Sequence, residues 1–284
     1  MKSAWVVVLV CVVLTSAAFA QLSTSQFLGG ASLTPRAAGM GGAAIGVADD
    51  AGAWLQNPAG LAALNVACPS EDKLWAADAV LSFADAGDVD GWALTGSAWK
   101  PSSAYGFGAG LLNIDDLGDL VGAGYGAAWK NTPFSWGVNV VNVSLDDDSF
   151  DDTIFNLGLM YRFAVPEKAP IRFGLLVEDI TDQSDLGPFF SLGMAWPVTP
   201  QWLVAADVTD VTGETDDGPF FSGGVEYSFV GTGWKARAGF ADTGDGHDLT
   251  LGAGYAFGNQ WRVDAAWQNA DNDDILSIGA GYTF

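Results

Sequence analysis

The 284-residue chain has few cations, two cysteines and one histidine. Cys11 lies in an N-terminal apolar run, so setting that run aside leaves Cys68 alone and excludes an internal disulfide. His247 has no Ser-His-Asp set or His/Cys cluster to work with, which argues against an enzyme and leaves no ligand set for a cofactor. Lys and Arg number 11 against 34 Asp and Glu, a formal net charge of −23, and such a chain repels nucleic acid. Beyond the N-terminal run, nothing approaches the roughly 20 consecutive apolar residues of a membrane helix. Yet mean hydropathy is +0.22, with 37 Gly and 12 Trp. That combination is foreign to an acidic soluble protein, whereas a membrane barrel conceals its apolar residues in alternation.

The chain opens "MKSAWVVVLVCVVLTSAAFAQ", a lysine, an apolar core and small residues ending in Ala18-Phe19-Ala20. Residues 1–20 therefore read as a secretory signal peptide outside the fold. Val10, not a small residue, precedes Cys11, which speaks against a lipoprotein.

From Leu74 onward come short alternating segments closed by turn clusters. Fourteen are read: 74–83, 90–100, 104–113, 121–130, 134–144, 153–163, 170–180, 188–197, 200–209, 219–229, 232–241, 247–257, 260–269 and 274–284. The even number and the length of about ten residues suit the tilted strands of an all-β, antiparallel transmembrane barrel. In "LTLGAGYAF", Leu249, Leu251, Ala253, Tyr255 and Phe257 share one face, opposed by Thr250, Gly252, Gly254 and Ala256. The apolar face should meet lipid and the small or charged face a lumen.

Charge separates the connections by parity. Alternate ones are acidic ("ADAGDVD", "IDDLGD", "LDDDSFDD", "DITDQSD", "TDVTGETDDG", "ADTGDGHD", "NADNDD") and the intervening ones are short and nearly free of acid ("KPSS", "KNTP", "VPEKAP", "PVTP", "VGTG", "FGN"). A soluble sandwich has no reason for this; a barrel with one end outside the cell and one in the periplasm does. Lys100, Lys130, Arg162, Arg172, Lys235, Arg237 and Arg262 adjoin the short turns, and Lys168 lies in one. Trp75, Trp99, Trp129, Trp136, Trp196, Trp202, Trp234 and Trp261 fall at that same end. Trp92, Trp267 and the Phe189-Phe190 and Phe220-Phe221 pairs fall at the other, as two aromatic girdles would. The last segment puts Tyr282 and Phe284 on one face and resembles the outer-membrane insertion signal.

Before the barrel stands "PRAAGMGGAAIGVADDAGAWLQNPAGLAAL", Pro35 to Leu64, apolar and glycine-rich. Asn57 can cap a short helix with Pro58 at its first position, and Gly39, Gly41 and Gly42 let backbone pack closely against a wall. Gly106, Gly108, Gly122, Gly124, Gly126, Gly252 and Gly254, on inward faces, leave room for a plug. The segment resembles the N-terminal region of the FadL-type outer-membrane transport superfamily, including its PorV-like branch. The matched pattern is Arg36, the Gly39 to Gly42 cluster, Ala48-Asp49-Asp50, and Asn57-Pro58-Ala59-Gly60-Leu61. The resemblance implies fourteen strands, with residues 21–73 folded inside the barrel (74–284) as a hatch beside which small hydrophobic molecules pass. The acidic connections, about six to ten residues, are too short for the capping lobe of the fatty-acid transporters, so substrate class does not transfer.

Three sharper readings fail or stay open. "GMGGAA" fits G-x-G-x-x-A but follows no buried strand and lacks the acidic partner of a dinucleotide site. Asp146, Asp148, Asp242 and Asp245 cluster oxygens without EF-hand spacing; loose divalent bridging to lipopolysaccharide suits them better than a specific metal site. Lys130, Arg162, Arg172, Lys235, Arg237 and Arg262, with Glu178, Glu226 and Asp264, either line a polar path or hold the hatch through Asp49 and Asp50. The expected protein is an outer-membrane channel of a diderm bacterium for small hydrophobic molecules, in contact with lipid and lipopolysaccharide. The alternatives are a PorV-like scaffold docking a periplasmic or secreted protein, and a structural barrel or surface antigen.

Overall fold

The computed structural model describes residues 34–64, 76–86, 89–100, 104–115, 118–145, 151–182, 188–213, 218–242, 246–258, 260–269 and 274–284. The expected signal peptide, residues 21–33 and 65–73 of the expected hatch, Trp75, Asp146, Asp148 and Asp245 lie outside them.

Fourteen strands run in hairpin order. They are β1 (Ala76–Ala86), β2 (Val89–Trp99), β3 (Tyr105–Ile114), β4 (Gly118–Ala128), β5 (Phe134–Leu145), β6 (Asp151–Phe163), β7 (Ile171–Glu178), β8 (Phe189–Pro197), β9 (Trp202–Thr209), β10 (Phe220–Ser228), β11 (Trp234–Asp242), β12 (His247–Phe257), β13 (Trp261–Asn269) and β14 (Asp274–Thr283). Each pairs antiparallel with its sequence neighbours, and β14 returns to β1 from Asp78↔Thr283 to Asp85↔Leu276. Closure leaves no edge strand, so the backbone hydrogen bonds of the sheet are satisfied within the ring. Every expected segment falls on one strand.

The exposure pattern inverts that of a soluble protein. On β12, Leu249 and Leu251 are 61% and 55% exposed on the outside, while Thr250 between them is 1% exposed on the inside. Outward rings face each other across neighbouring strands at the basic end: Trp202 with Tyr227, Trp234 with Tyr255 and Trp261 with Tyr282, at centroid separations of 4.7, 4.7 and 4.6 Å. Directly opposed aromatic pairs are the strong cross-strand contacts of a sheet.

Three aromatics depart from the expected girdles. Trp99 is buried and turns inward, as its parity with Thr95 and Ser97 requires. Phe189 and Phe220 are buried in the lumen near the acidic end while Phe190 and Phe221 face out, because adjacent strand residues cannot share a face. The acidic connections are also more unequal than expected. Only residues 87–88 separate β1 from β2 and 115–117 separate β3 from β4, while 179–188 and 210–219 join β7 to β8 and β9 to β10. Asp85, Asp90 and Asp119 belong to the strands, which run further than the charge pattern suggests.

Residues 34–64 fill the middle of the ring. They form a four-residue helix α1 (Pro35–Ala38), a second α2 (Ala53–Gln56) and a 3-10 helix, Pro58–Ala63. Thr34 caps α1 by accepting from the Ala37 amide, and Asn57 caps the 3-10 helix by accepting from Ala59. Pro58 sits at the first position, where the missing N–H costs nothing. Trp54, Leu55, Leu61 and Leu64 are fully covered and pack with inward Ile114, Leu120, Val143 and Ile154.

The wall accepts this segment because its inward positions there are glycine. A Cβ on Gly106 would lie 2.6 Å from the Leu61 carbonyl oxygen, and one on Gly108 2.5 Å from Trp54 Cβ. Gly137, Gly174, Gly193, Gly224 and Gly239 make the same accommodation, beyond the glycines singled out in the sequence. Gly254 instead makes room for the Arg237 and Asp264 side chains. On the segment's own side, Gly41 has φ +67 and lies against the Phe240 backbone, a conformation and a proximity that both demand glycine.

Gly137→Ala places a methyl 2.6 Å from the Ala59 amide nitrogen. We expect overpacking of about 1–3 kcal/mol, with the strands still paired. In denaturant titrations followed by tryptophan fluorescence and by heat-dependent gel mobility, the first transition should move to lower denaturant.

Candidate functional site: a shared charge lattice at the basic end of the lumen

The inward charges at the basic end join the inner segment to the wall. Arg36, on α1, binds Asp49 and reaches Asp50 at 3.3 Å, and its Nε donates to Glu226 of β10 at 3.1 Å. Asp49 also accepts from Arg172 of β7 at 3.0 Å. Glu226 further accepts from Lys235 and Arg237 of β11, both at 2.8 Å. Arg237 meets Asp264 of β13 at 2.7 Å. Arg262 contacts Asp264 at 3.8 Å and pairs with both oxygens of Asp78 on β1, where Thr283 of β14 also donates. The lattice thus bridges the β1–β14 closure and ties α1 to β10. Its members line a cavity of about 440 Å³ open toward the short turns.

Burial alone disfavours these charges, and mutual pairing restores them. Burial opposes ionisation of Asp49, but Arg36 and Arg172 outweigh it and lower its pKa from 3.8 to about 2. For Asp50 burial prevails over Arg36 and the pKa rises. Arg36 is disfavoured by burial, yet Asp49, Glu226 and Asp50 raise its pKa well above the usual value. Breaking such a network on one side strands the other charge, so the cost of removing a member exceeds the net worth of the pair.

A second set of ties is uncharged or single-sided. Asp207 of β9 accepts from the Ala44 and Ile45 amides at 2.7 and 2.8 Å. Trp54 Nε1 donates to Thr95 Oγ1 at 2.6 Å, while Thr95 and Ser97 hydroxyls donate to the Ala51 carbonyl. Asn139 donates to the Trp54 carbonyl at 2.7 Å, and Asn57 Nδ2 to the carbonyls of Ile45 and Leu159. Asp207, Thr95, Ser97, Asn139 and Asp78 were not among the residues the sequence singled out. Their signal was present: each is a polar residue at an inward position of an otherwise apolar or glycine-rich strand.

Of the expected motif, Arg36, Asp49 and Asp50 form the lattice, and Gly39, Gly41 and Gly42 lie against or turn beside the wall. Gly60 packs on Ala48, Leu61 on Gly106 and Gly126, and Asn57, Pro58 and Ala59 build the cap. Arg172, Glu226, Lys235, Arg237, Arg262 and Asp264 come together as a ring. Three expected lumen residues do not join it. Arg162 of β6 faces inward across from Arg172, but among the described residues it forms no ion pair. Lys130 is exposed in the turn after β4, which ends at Ala128, so strand alternation no longer governs it. Glu178 faces inward but at the acidic end, six residues along β7 from Arg172 and therefore about 20 Å away; there it accepts from Ser191. Tyr282 and Phe284 lie in edge contact at 4.7 Å in the aromatic belt. Asp242 stands 3.7 Å from exposed His247, and among the described residues no three His, Cys, Asp or Glu are grouped to hold a metal.

Fold and site together define a closed fourteen-stranded antiparallel barrel with an occupied lumen. No family model matches the chain, and no curated protein matches it in sequence. Among solved structures it is similar to the CymD monoaromatic hydrocarbon channel, with a TM-score of 0.57, 15% identity, and coverage of 89% of this chain and 97% of that one. It is also similar to the outer membrane protein Omp33 of Acinetobacter baumannii, with a TM-score of 0.55, 10% identity, and coverage of 74% and 98% respectively. At these identities the likeness is one of fold, the fold of outer-membrane barrels.

Arg36→Gln removes the cation that three carboxylates share, a loss of about 3–5 kcal/mol for the seating of residues 34–64. Limited proteolysis should then cut within 34–64 while the gel shift on boiling persists. Acid should act through Asp49 in the same direction. Its folded pKa is depressed, so its contribution is complete above 3.8 and lost as pH falls from there through about 2. The Asp49 share of proteolytic protection should hold from pH 7 down to about pH 4 and be lost below it, while Asp50, whose pKa burial raises, opposes that loss as it is protonated.

Proposed function

We propose that the chain is an outer-membrane channel of a diderm bacterium that admits small hydrophobic molecules, with residues 34–64 as its hatch. One observation carries this reading: toward the acidic end, the inward wall from β3 to β8 carries an apolar arc, interrupted by Asn156, Glu178 and Ser191. Leu112, Ile114, Leu120, Val143, Ile154, Leu176 and Phe189 are all buried there, above Trp54. A barrel that conducts ions or sugars lines its lumen with polar groups throughout; a covered apolar arc in the lumen favours apolar permeants. The outward aromatic belt and exposed aliphatic face suit lipid, and the short basic turns suit the periplasmic side, with the acidic rim outward beside lipopolysaccharide. The fold shared with a monoaromatic hydrocarbon channel supports the reading, as does the FadL-like motif from Arg36 to Leu61.

A second reading, a PorV-like scaffold docking a periplasmic or secreted protein, is favoured by a different observation. The inner segment is fastened to β2, β5, β6, β7, β9 and β10 by buried or partly buried bonds. A segment tied at six strands suits a barrel that stays filled.

The two readings separate on uptake. Liposomes carrying the intact protein should accumulate a small hydrocarbon probe faster than empty ones, and a scaffold should not change the rate. Deleting residues 21–64 should leave a heat-modifiable barrel whose ionic conductance in planar bilayers exceeds that of the intact protein. Its pore should prefer cations while salt is low, because the acidic rim attracts them. Equal conductance in both would remove the hatch from the proposal.

A further inference from the structure

The connections after β7 and β9 repeat one sequence. "VEDITDQSDLGPFF" (177–190) and "VTDVTGETDDGPFF" (208–221) match at valine, aspartate, threonine, a second aspartate and Gly-Pro-Phe-Phe. Their first turns are built alike: Asp179 and Asp210 are buried with φ 50 and 52, their amides donate to Asn156 Oδ1 and Ser191 Oγ of the preceding strand, and their carbonyls accept from Asp182 and Gly213. The position before each aspartate lies across from an inward phenylalanine, yet it holds Glu178 in one copy and Thr209 in the other. The turn forms without a carboxylate there, so Glu178 needs another reason.

Glu178 is 2% exposed; its Oε2 accepts from Ser191 at 3.4 Å, while its Oε1 is covered and has no hydrogen-bond partner. The side chain borders a cavity of about 10 Å³, lined also by Val141, Ile154, Asn156, Asp179 and Phe189, which has room for one body the size of a water molecule. The charge acting on Glu178 is that of Asp210, a second carboxylate. No acidic connection, described or not, contains Lys or Arg; of the lysines outside the described residues, Lys2 belongs to the expected signal peptide and Lys73 stands three residues before β1, which starts at the basic end. The sequence thus brings no lysine or arginine to this end. A proton would cancel the charge but leave Oε1 without a partner, and a water would fill the space but leave two carboxylates uncompensated. Calcium takes about six to eight oxygens and magnesium keeps its own waters; with no three carboxyl groups gathered among the described residues and room for one small body, neither fits. We propose that this cavity is a sodium site, in which Glu178 Oε1, with oxygens of Asn156 and Asp179 around it, holds one Na⁺ at the acidic end of the lumen. The ion ties β7 to β6 and to the turn that follows it, whatever passes through the barrel, so the site stands or falls apart from the channel reading.

The test is the temperature of the heat-dependent gel shift of the intact protein in a non-ionic detergent, with sodium chloride exchanged for choline chloride at equal ionic strength. Choline is too large for the cavity, so it reports screening alone. Sodium should raise the shift temperature of the wild type by about 3–6 °C over choline, the effect of a roughly ten-fold excess of ion over its dissociation constant on a chain of this size. Glu178→Gln and Glu178→Thr, the second copying the twin turn, should keep the gel shift and lose the dependence on sodium. Equal shift temperatures for the wild type in sodium and choline would overturn the proposal. Protection of the choline sample by micromolar calcium would make the ion divalent and overturn it too, and so would undiminished sodium dependence in the folded variants. The wild-type comparison needs no variant, so the proposal can fail on it even if neither variant assembles.

Discussion

Closure of the ring governs everything else in this molecule. Once β14 pairs with β1, the inward positions of fourteen strands surround a space that must be occupied by side chains, by water or by another part of the chain. Here part of the chain occupies it, and the choice is written on the wall as missing Cβ atoms. Gly106 and Gly108 on β3, Gly137 on β5 and Gly224 and Gly239 on β10 and β11 let the backbone of residues 34–64 lie against strand backbone. Side chains of the segment, above all Trp54, then fill the middle of the lumen and are fully covered there.

An irregular segment inside a barrel carries backbone groups that no sheet satisfies, and each would be costly if left unpaired. The wall meets many of them singly. Asp207 takes two consecutive amides, Thr95 and Ser97 converge on the Ala51 carbonyl, and Asn139 takes the Trp54 carbonyl. Asn57 does double duty, capping its own helix with the oxygen and holding Ile45 and Leu159 with the nitrogen. The charges are treated differently. Arg36, Glu226 and Asp49 each have more than one partner, so desolvation is offset by several contacts at once instead of one pair.

The lumen is therefore chemically divided along its axis. Ion pairs with an open cavity occupy the basic end, single hydrogen bonds the middle, and covered aliphatic and aromatic side chains, with Asn156, Glu178 and Ser191 among them, the acidic end. This division gives the two ends of the lumen distinct polarity although the outer wall is largely apolar.

The strands were legible in the sequence because the period of two is a local property. Leu249 and Leu251 alternate with Thr250 whatever the rest of the chain does, and the parity of acidic and basic connections fixed the hairpin order and the count. The cap at Asn57 and the need for glycine at Gly41 were local in the same way. Where parity was not followed residue by residue, the expectation failed, as at Trp99, Phe189 and Phe220; past the end of β4, where alternation stops, Lys130 escaped it too. The tertiary structure alone decided which inward groups meet. Arg36 and Glu226 are 190 residues apart and Arg262 and Asp78 184, and no spacing in the sequence encodes such pairs. Arg172 and Glu178 read as one set in the sequence, yet strand rise places them at opposite ends of the lumen. Partner choice across a closed ring depends on register and on how deep the inner segment sits, and both are set only when the ring closes around it.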